Sequence, residues 1–142
     1  MTGVNAPTVA IVEDEFLLTL HLEDVLLDAG YSVIATAHDL SSADAISQAP
    51  DIALVDLNLS DGLTGPEVAR RLSERFGAQI IYVTANPGQI GTPASTALGV
   101  LHKPFSRQAI ERALAYALDE GVTVARPGEL QPFEGCSLLR SA

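Results

Sequence analysis

Ile52-Ala53-Leu54-Val55-Asp56 is four apolar residues followed by a carboxylate. A strand that is apolar on both sides belongs in the middle of a parallel sheet, where helices cover both faces. The same form recurs along the chain. Val9-Ala10-Ile11-Val12-Glu13 runs into Asp14 and Glu15, Gln79 to Thr84 ends on a hydroxyl, and the short Val100 to His102 runs into Lys103-Pro104. Tyr31 to Ala37, with Val33, Ile34 and Thr36, adds a β-branched strand.

Between these runs lie segments with helical punctuation. Phe16 to Ala29 has apolar residues at helical period and is closed by Gly30. Ser41-Ser42 would cap a helix running to Gln48, before Ala49-Pro50. Pro66 opens a helix ending at Phe76, with Gly77 behind it. Ser106 caps a last helix to Asp119, with Ala109, Ile110, Ala113, Leu114 and Ala117 on one face. The exception is Asn86 to Gly99, which contains Pro87, Gly88, Gly91 and Pro93. It has room for about two turns near Ala94 to Leu98, so the fourth helix is expected to be short, disordered or absent.

Repeated β-α alternation predicts an α/β fold, a doubly wound five-stranded parallel sheet with helices on both faces. The carboxyl ends of such strands share one edge. Glu13-Asp14, Asp56, Thr84 and Lys103 should therefore converge. Three carboxylates, a hydroxyl and an ammonium at one point describe a site for a divalent cation and a phosphoryl group. Alone, Glu13-Asp14-Glu15 would read as acids at the positive end of the first helix; agreement among four separate placements outweighs that reading. No Gly-x-Gly-x-x-Gly follows the first strand and no P-loop lysine motif is present, which argues against a nucleotide-binding version of the fold.

Composition sets the class. The chain has 142 residues, 47% of them apolar, enough for one domain with a real core. Its apolar stretches are too short to cross a bilayer, and Met1 to Thr8 lacks the basic start and apolar stretch of a signal peptide. The single cysteine, Cys136, fits a reducing, cytoplasmic setting and has no basic neighbour except Arg140 to activate it. A net charge of −10 repels phosphate backbones, so direct nucleic-acid binding is not expected. His21, His38 and His102 are too scattered for a metal site.

Val12-Glu13-Asp14-Glu15, Leu54-Val55-Asp56-Leu57-Asn58-Leu59, Tyr82-Val83-Thr84-Ala85 and Lys103-Pro104-Phe105, in this order and spacing, carry a resemblance. The chain resembles a response-regulator receiver domain of bacterial two-component signalling, with the flavodoxin-like receiver fold, over residues 8–120. Residues 121–142 would be a C-terminal tail without an output domain. The resemblance implies that Asp56 is the phosphoacceptor, taking its phosphoryl group from a sensor histidine kinase or a histidine phosphotransfer protein. It implies Mg²⁺ held by Asp14, Asp56 and the backbone carbonyl of Asn58, with Glu13 acting directly or through water. Lys103 would pair with a phosphoryl oxygen from a cis Lys103-Pro104 bond, and the Thr84 hydroxyl would bind another. Asn58 and Asn86, two residues beyond Asp56 and Thr84, would face the phosphoryl group.

Three features depart from the family pattern. Val100 stands where many receivers carry a switch aromatic, the Thr84 to Lys103 interval is short, and Leu59-Ser60-Asp61-Gly62 lacks the common proline. A mobile fourth-helix region that orders upon phosphorylation would replace the aromatic lever. On the first helix, Leu18, Leu22, Val25, Leu26 and Ala29 should meet the sheet, and Phe16, Leu20 and Leu27 form a second, solvent-facing stripe for a kinase helix or the tail. The expected function is a single-domain regulator rather than a turnover enzyme, acting through an unknown protein target. Two alternatives stand beside it. An Mg²⁺-dependent aspartyl-phosphate phosphohydrolase would need an acid where Asn58 stands, and a receiver-like binding module that is never phosphorylated would not need the intact site.

Overall fold

Each apolar run forms a strand, and burial of both faces fixes how the helices are shared out. The computed structural model describes residues 6–119 and 123–133; Cys136 and Arg140 lie outside the described residues, as does the boundary expected at residue 120. In chain order the elements are β1 (Thr8–Val12), α1 (Phe16–Asp28), β2 (Ser32–Ala37), α2 (Leu40–Asp44), β3 (Ile52–Val55), α3 (Gly65–Phe76), β4 (Gln79–Thr84), β5 (Ala97–His102), α4 (Arg107–Asp119) and β6 (Leu130–Gln131). The sheet order is β2-β1-β3-β4-β5-β6. The first five strands are parallel, and β6 runs antiparallel to β5. Order 2-1-3-4-5 reverses between β1 and β3, and a crevice opens at the carboxyl ends where the crossovers part.

Alternate residues build two cores. Val12, Val55 and Tyr82 pack with Val68, Leu72 and the short α2 on one face. Ile11, Leu54 and Val83 pack with Leu22, Leu26, Ile110 and Leu114 on the other, under α1 and α4. The α1 stripes divide as expected at Leu22, Val25 and Leu26, with Leu18 packed beside them, but Ala29 does not meet the sheet and is exposed at the helix end. The outer stripe is wider than Phe16, Leu20 and Leu27, because Leu17 joins it at 78% exposure.

Four local expectations need correction. Ser41-Ser42 do not cap α2; Asp39 does. Asp39 Oδ1 accepts the Ser42 N–H at 2.8 Å and Ser42 Oγ accepts the Asp39 N–H at 3.2 Å, a reciprocal capping box. The helix stops at Asp44 rather than Gln48, and Ile46 turns into the core while its carbonyl accepts Arg75 Nη2 at 2.6 Å. Ala94 to Leu98 holds no helical turns, since β5 already begins at Ala97, paired with Ile80.

The interval between β4 and β5 contains one 3-10 turn, Pro87–Gln89, in place of a helix. It is tied down: Ile90 and Ala94 are buried, and the Tyr82 hydroxyl accepts the Ala94 N–H at 3.0 Å. The tail, finally, adds a sixth strand. Leu130 is fully buried after a turn in which its N–H meets the Pro127 carbonyl at 3.1 Å.

Candidate functional site

The sheet's hydrogen-bond ladder carries the site residues one step past the ends of their strands. The Glu13 N–H donates to the Ala37 carbonyl, the Asp56 N–H to that of Val12, and the Lys103 N–H to that of Thr84, each at 2.9 Å. Glu13, Asp56 and Lys103 therefore leave rigid backbone at adjacent points of one edge. Lys103 Nζ donates to Asp56 Oδ2 at 3.0 Å, Glu13 Oε1 at 3.1 Å and Glu15 Oε1 at 3.4 Å. The Lys103-Pro104 peptide is cis.

Asp14 completes the carboxylate group. One ligand oxygen from each of Glu13, Asp14 and Asp56 lies within 4.8 Å of the other two. Hard oxygen donors at this spacing suit Mg²⁺, whose ligands at about 2.0–2.1 Å stand roughly 3 to 4 Å apart around an octahedron. The fit is good on donor chemistry and on span.

The remaining expected residues are placed as follows. Thr84 is buried at the end of β4, and its Oγ1 accepts the Asn86 N–H at 2.9 Å. Asn58 is exposed after β3, and its amide donates to Gln89 Oε1 at 2.9 Å. His38 and His102 bond elsewhere, to Ser60 Oγ at 3.3 Å and the Lys103 carbonyl at 2.6 Å, and no histidine joins the carboxylate group.

Two contributors were not read from the sequence. Gln89 anchors Asn58, a contact between residues 31 apart that no local pattern signals. Gly65 opens α3 against the strand end: a Cβ there would stand 2.0 Å from the Asp56 carbonyl oxygen and 2.4 Å from Leu57 Cα. A side chain at Gly65 would push the Asp56 backbone out of line. The only sequence signal was a glycine directly before Pro66.

Burial, above all, pushes Glu13 up to about 7, and the Asp56 charge adds to it; the Glu15 N–H and Lys103 pull the other way. Burial alone would lower Lys103, but its hydrogen bond to Asp56 and the charge of Glu13 prevail and hold its pKa above the ordinary value. The folded Glu13 therefore binds a proton that the unfolded chain, with a value near 4.5, releases. In metal-free protein this stabilisation is fully present below pH 4.5 and is lost as pH rises through about 7. The slope reaches at most about 1.4 kcal/mol per pH unit. Glu13→Gln should flatten the urea midpoint across that window; the same slope in the variant would assign the effect to another group.

Comparison with known proteins gives a consistent relation. The response regulator receiver domain family matches residues 9–115. Phyllosphere-induced regulator PhyR of Methylorubrum extorquens is 30% identical over 121 residues, which cover 80% of this chain and 44% of PhyR. The chain thus spans less than half the length of that relative. The solution structure of the PhyR receiver domain of Erythrobacter litoralis is 28% identical, with a TM-score of 0.72 over 80% of this chain and 91% of its own. The receiver domain of a Pseudomonas aeruginosa sensor histidine kinase, solved with a magnesium ion coordinated in its active-site cleft, is 24% identical. Its TM-score of 0.68, over 80% of this chain and 98% of its own, speaks for the fold alone.

Proposed function

The chain belongs to the response regulator receiver domain family, and on that premise we propose that it takes a phosphoryl group onto Asp56 from a phosphohistidine donor and signals through protein partners. The observation that carries this reading is the Lys103 ammonium, 3.0 Å from Asp56 Oδ2 and 3.1 Å from Glu13 Oε1, beside three converging carboxylates. An Asp56 oxygen bonds to phosphorus while the bond from phosphorus to the donor imidazole breaks and its electron pair leaves with the ring. A carboxylate approaching a phosphoryl group meets like charge, so the work of the site is positioning and neutralisation. Held by Asp14, Asp56, the Asn58 main-chain carbonyl and Glu13 (directly or through water), Mg²⁺ would supply much of that neutralisation. Lys103 turns from Asp56 toward a phosphoryl oxygen as a point charge, and the Thr84 hydroxyl and nearby N–H groups take others.

The protein acts as a phosphoacceptor rather than a turnover enzyme. Asn58, two residues after Asp56, has no proton to give a leaving group, and its amide is committed to Gln89. The exposed stripe of Phe16, Leu17, Leu20 and Leu27 offers an apolar face to a helix of the sensor kinase or phosphotransfer protein. Among the described residues no helix is long and apolar enough to cross a membrane. The net charge of −10 disfavours nucleic acid as the target. A cytoplasmic phosphorelay is the setting this reading gives it.

Acetyl phosphate with Mg²⁺ should add one phosphoryl group per chain by intact mass, and hydroxylamine should remove it, as for an acyl phosphate. An unchanged mass under those conditions would favour a binding module that is never phosphorylated.

A further inference from the structure

The segment that carries β6, residues 126–133, lies across the open edge of the sheet and joins both cores. Leu130 packs into the core under α1 and α4, while Phe133 reaches the opposite core and meets the Tyr82 ring edge-on at 5.8 Å. Arg126 Nη1 donates to the Leu98 carbonyl at 2.7 Å and to that of Leu130 at 3.3 Å. Its guanidinium also sits 5.3 Å from the Tyr116 ring centre. The edge is shaped for this crossing. A Cβ on Gly99 would stand 2.7 Å from the Gln131 carbonyl oxygen and 2.8 Å from Arg126 Nη1, so a side chain there would lift the segment away.

What this segment holds is the loop after β4. A cavity of about 340 Å³ separates Pro87, Ile90 and Pro93 from Val100, Pro132 and Phe133. Tyr82 touches both sides, Phe133 through its ring and Ala94 through its hydroxyl. At its other end the loop engages the site: the Asn86 N–H is on Thr84 Oγ1, and Gln89 is on the Asn58 amide. In this arrangement the loop is tied to the side chains of Asn58 and Thr84, two residues expected to face the phosphoryl group.

We propose that residues 126–133 are an autoinhibitory strap, which fixes the loop of residues 85–96 in its resting arrangement and so opposes phosphorylation of Asp56. The proposal rests on the receiver reading above. Contacts that favour the resting arrangement lower the affinity for a phosphoryl group, and by reciprocity phosphoryl binding weakens the strap by the same factor. The cavity gives the loop room to rearrange once the strap lets go.

Phe133→Ala and Arg126→Gln, made separately in the full chain, test this by hydrogen exchange and by titration with Mg²⁺ and beryllofluoride as the phosphoryl mimic. Without the mimic, amides of residues 86–96 should exchange about tenfold faster in both variants, with β3 amides as protected as before. Beryllofluoride should bind several-fold more tightly to both variants. In the unmodified chain it should deprotect Leu130 and Gln131. Equal loop protection, or equal affinity in variants and unmodified chain, overturns the strap while leaving the receiver reading intact. Failure of beryllofluoride to bind the unmodified chain would overturn the receiver reading and the strap together.

Discussion

Asp56→Asn should leave no phosphoryl label after acetyl phosphate and Mg²⁺, where the unmodified chain gains one hydroxylamine-labile group. The neighbouring carboxylates are poor substitutes. Glu13 has both oxygens engaged, Oε1 by Lys103 at 3.1 Å and Oε2 by the Glu15 N–H at 3.1 Å. Asp14 lies outside the reach of Lys103, whose three contacts go to Glu13, Glu15 and Asp56. Asp56 stands at the end of β3, flanked by β1 and β4, with the Lys103 ammonium 3.0 Å from its Oδ2. Asparagine keeps the shape, and its carbonyl can still accept the Leu57 N–H that Asp56 Oδ1 takes at 2.7 Å. It removes the negative charge that makes the oxygen a nucleophile. The loss should therefore be complete while the fold persists, and stoichiometric label in the variant would move the acceptor to another residue.

The parts of this fold legible in the sequence are those fixed by burial on both faces. Ile52 to Val55 and Val9 to Val12 leave no doubt about a central strand, because continuous apolar runs this short have few other stable places. The convergence of Glu13, Asp56 and Lys103 followed, since parallel strands must end on one edge. The parts that were not legible depend on contacts between distant residues. β6 is two residues long, follows Pro127-Gly128, and is held by Gly99 and Arg126, so no periodicity announces it. Ala97 and Leu98 read as helix because Thr96 Oγ1, bonded to the Ala78 carbonyl and to Ser73 Oγ, fixes the entry to β5 from elsewhere in the chain. Asp39 displaced Ser41-Ser42 as a cap because only the folded turn brings its carboxylate onto the Ser42 N–H. The Gln89 contact with Asn58 likewise exists only once the loop after β4 is folded against the site.

Asp14→Asn should lower Mg²⁺ affinity tenfold or more, about 1.4 kcal/mol, without loss of the fold. In the metal-free site Lys103 already offsets the charge of Asp56 and Glu13, each by a hydrogen bond of 3.0 to 3.1 Å. Asp14 is exposed and takes no part in those bonds. Its carboxylate therefore brings to a cation a charge that Lys103 does not already offset. Replacing it by a neutral amide removes that attraction yet breaks no contact to Lys103 and disturbs no buried side chain. Binding to the folded state alone stabilises it, by about 2.7 kcal/mol at a hundredfold excess over Kd. The unmodified chain should thus gain thermal stability with Mg²⁺, and the variant should gain far less at the same concentration. Calorimetric titration gives the affinities directly. An unchanged Mg²⁺ affinity in the variant would mean that the ion is held by Asp56 and Glu13 without Asp14, with Lys103 displaced from both to admit it.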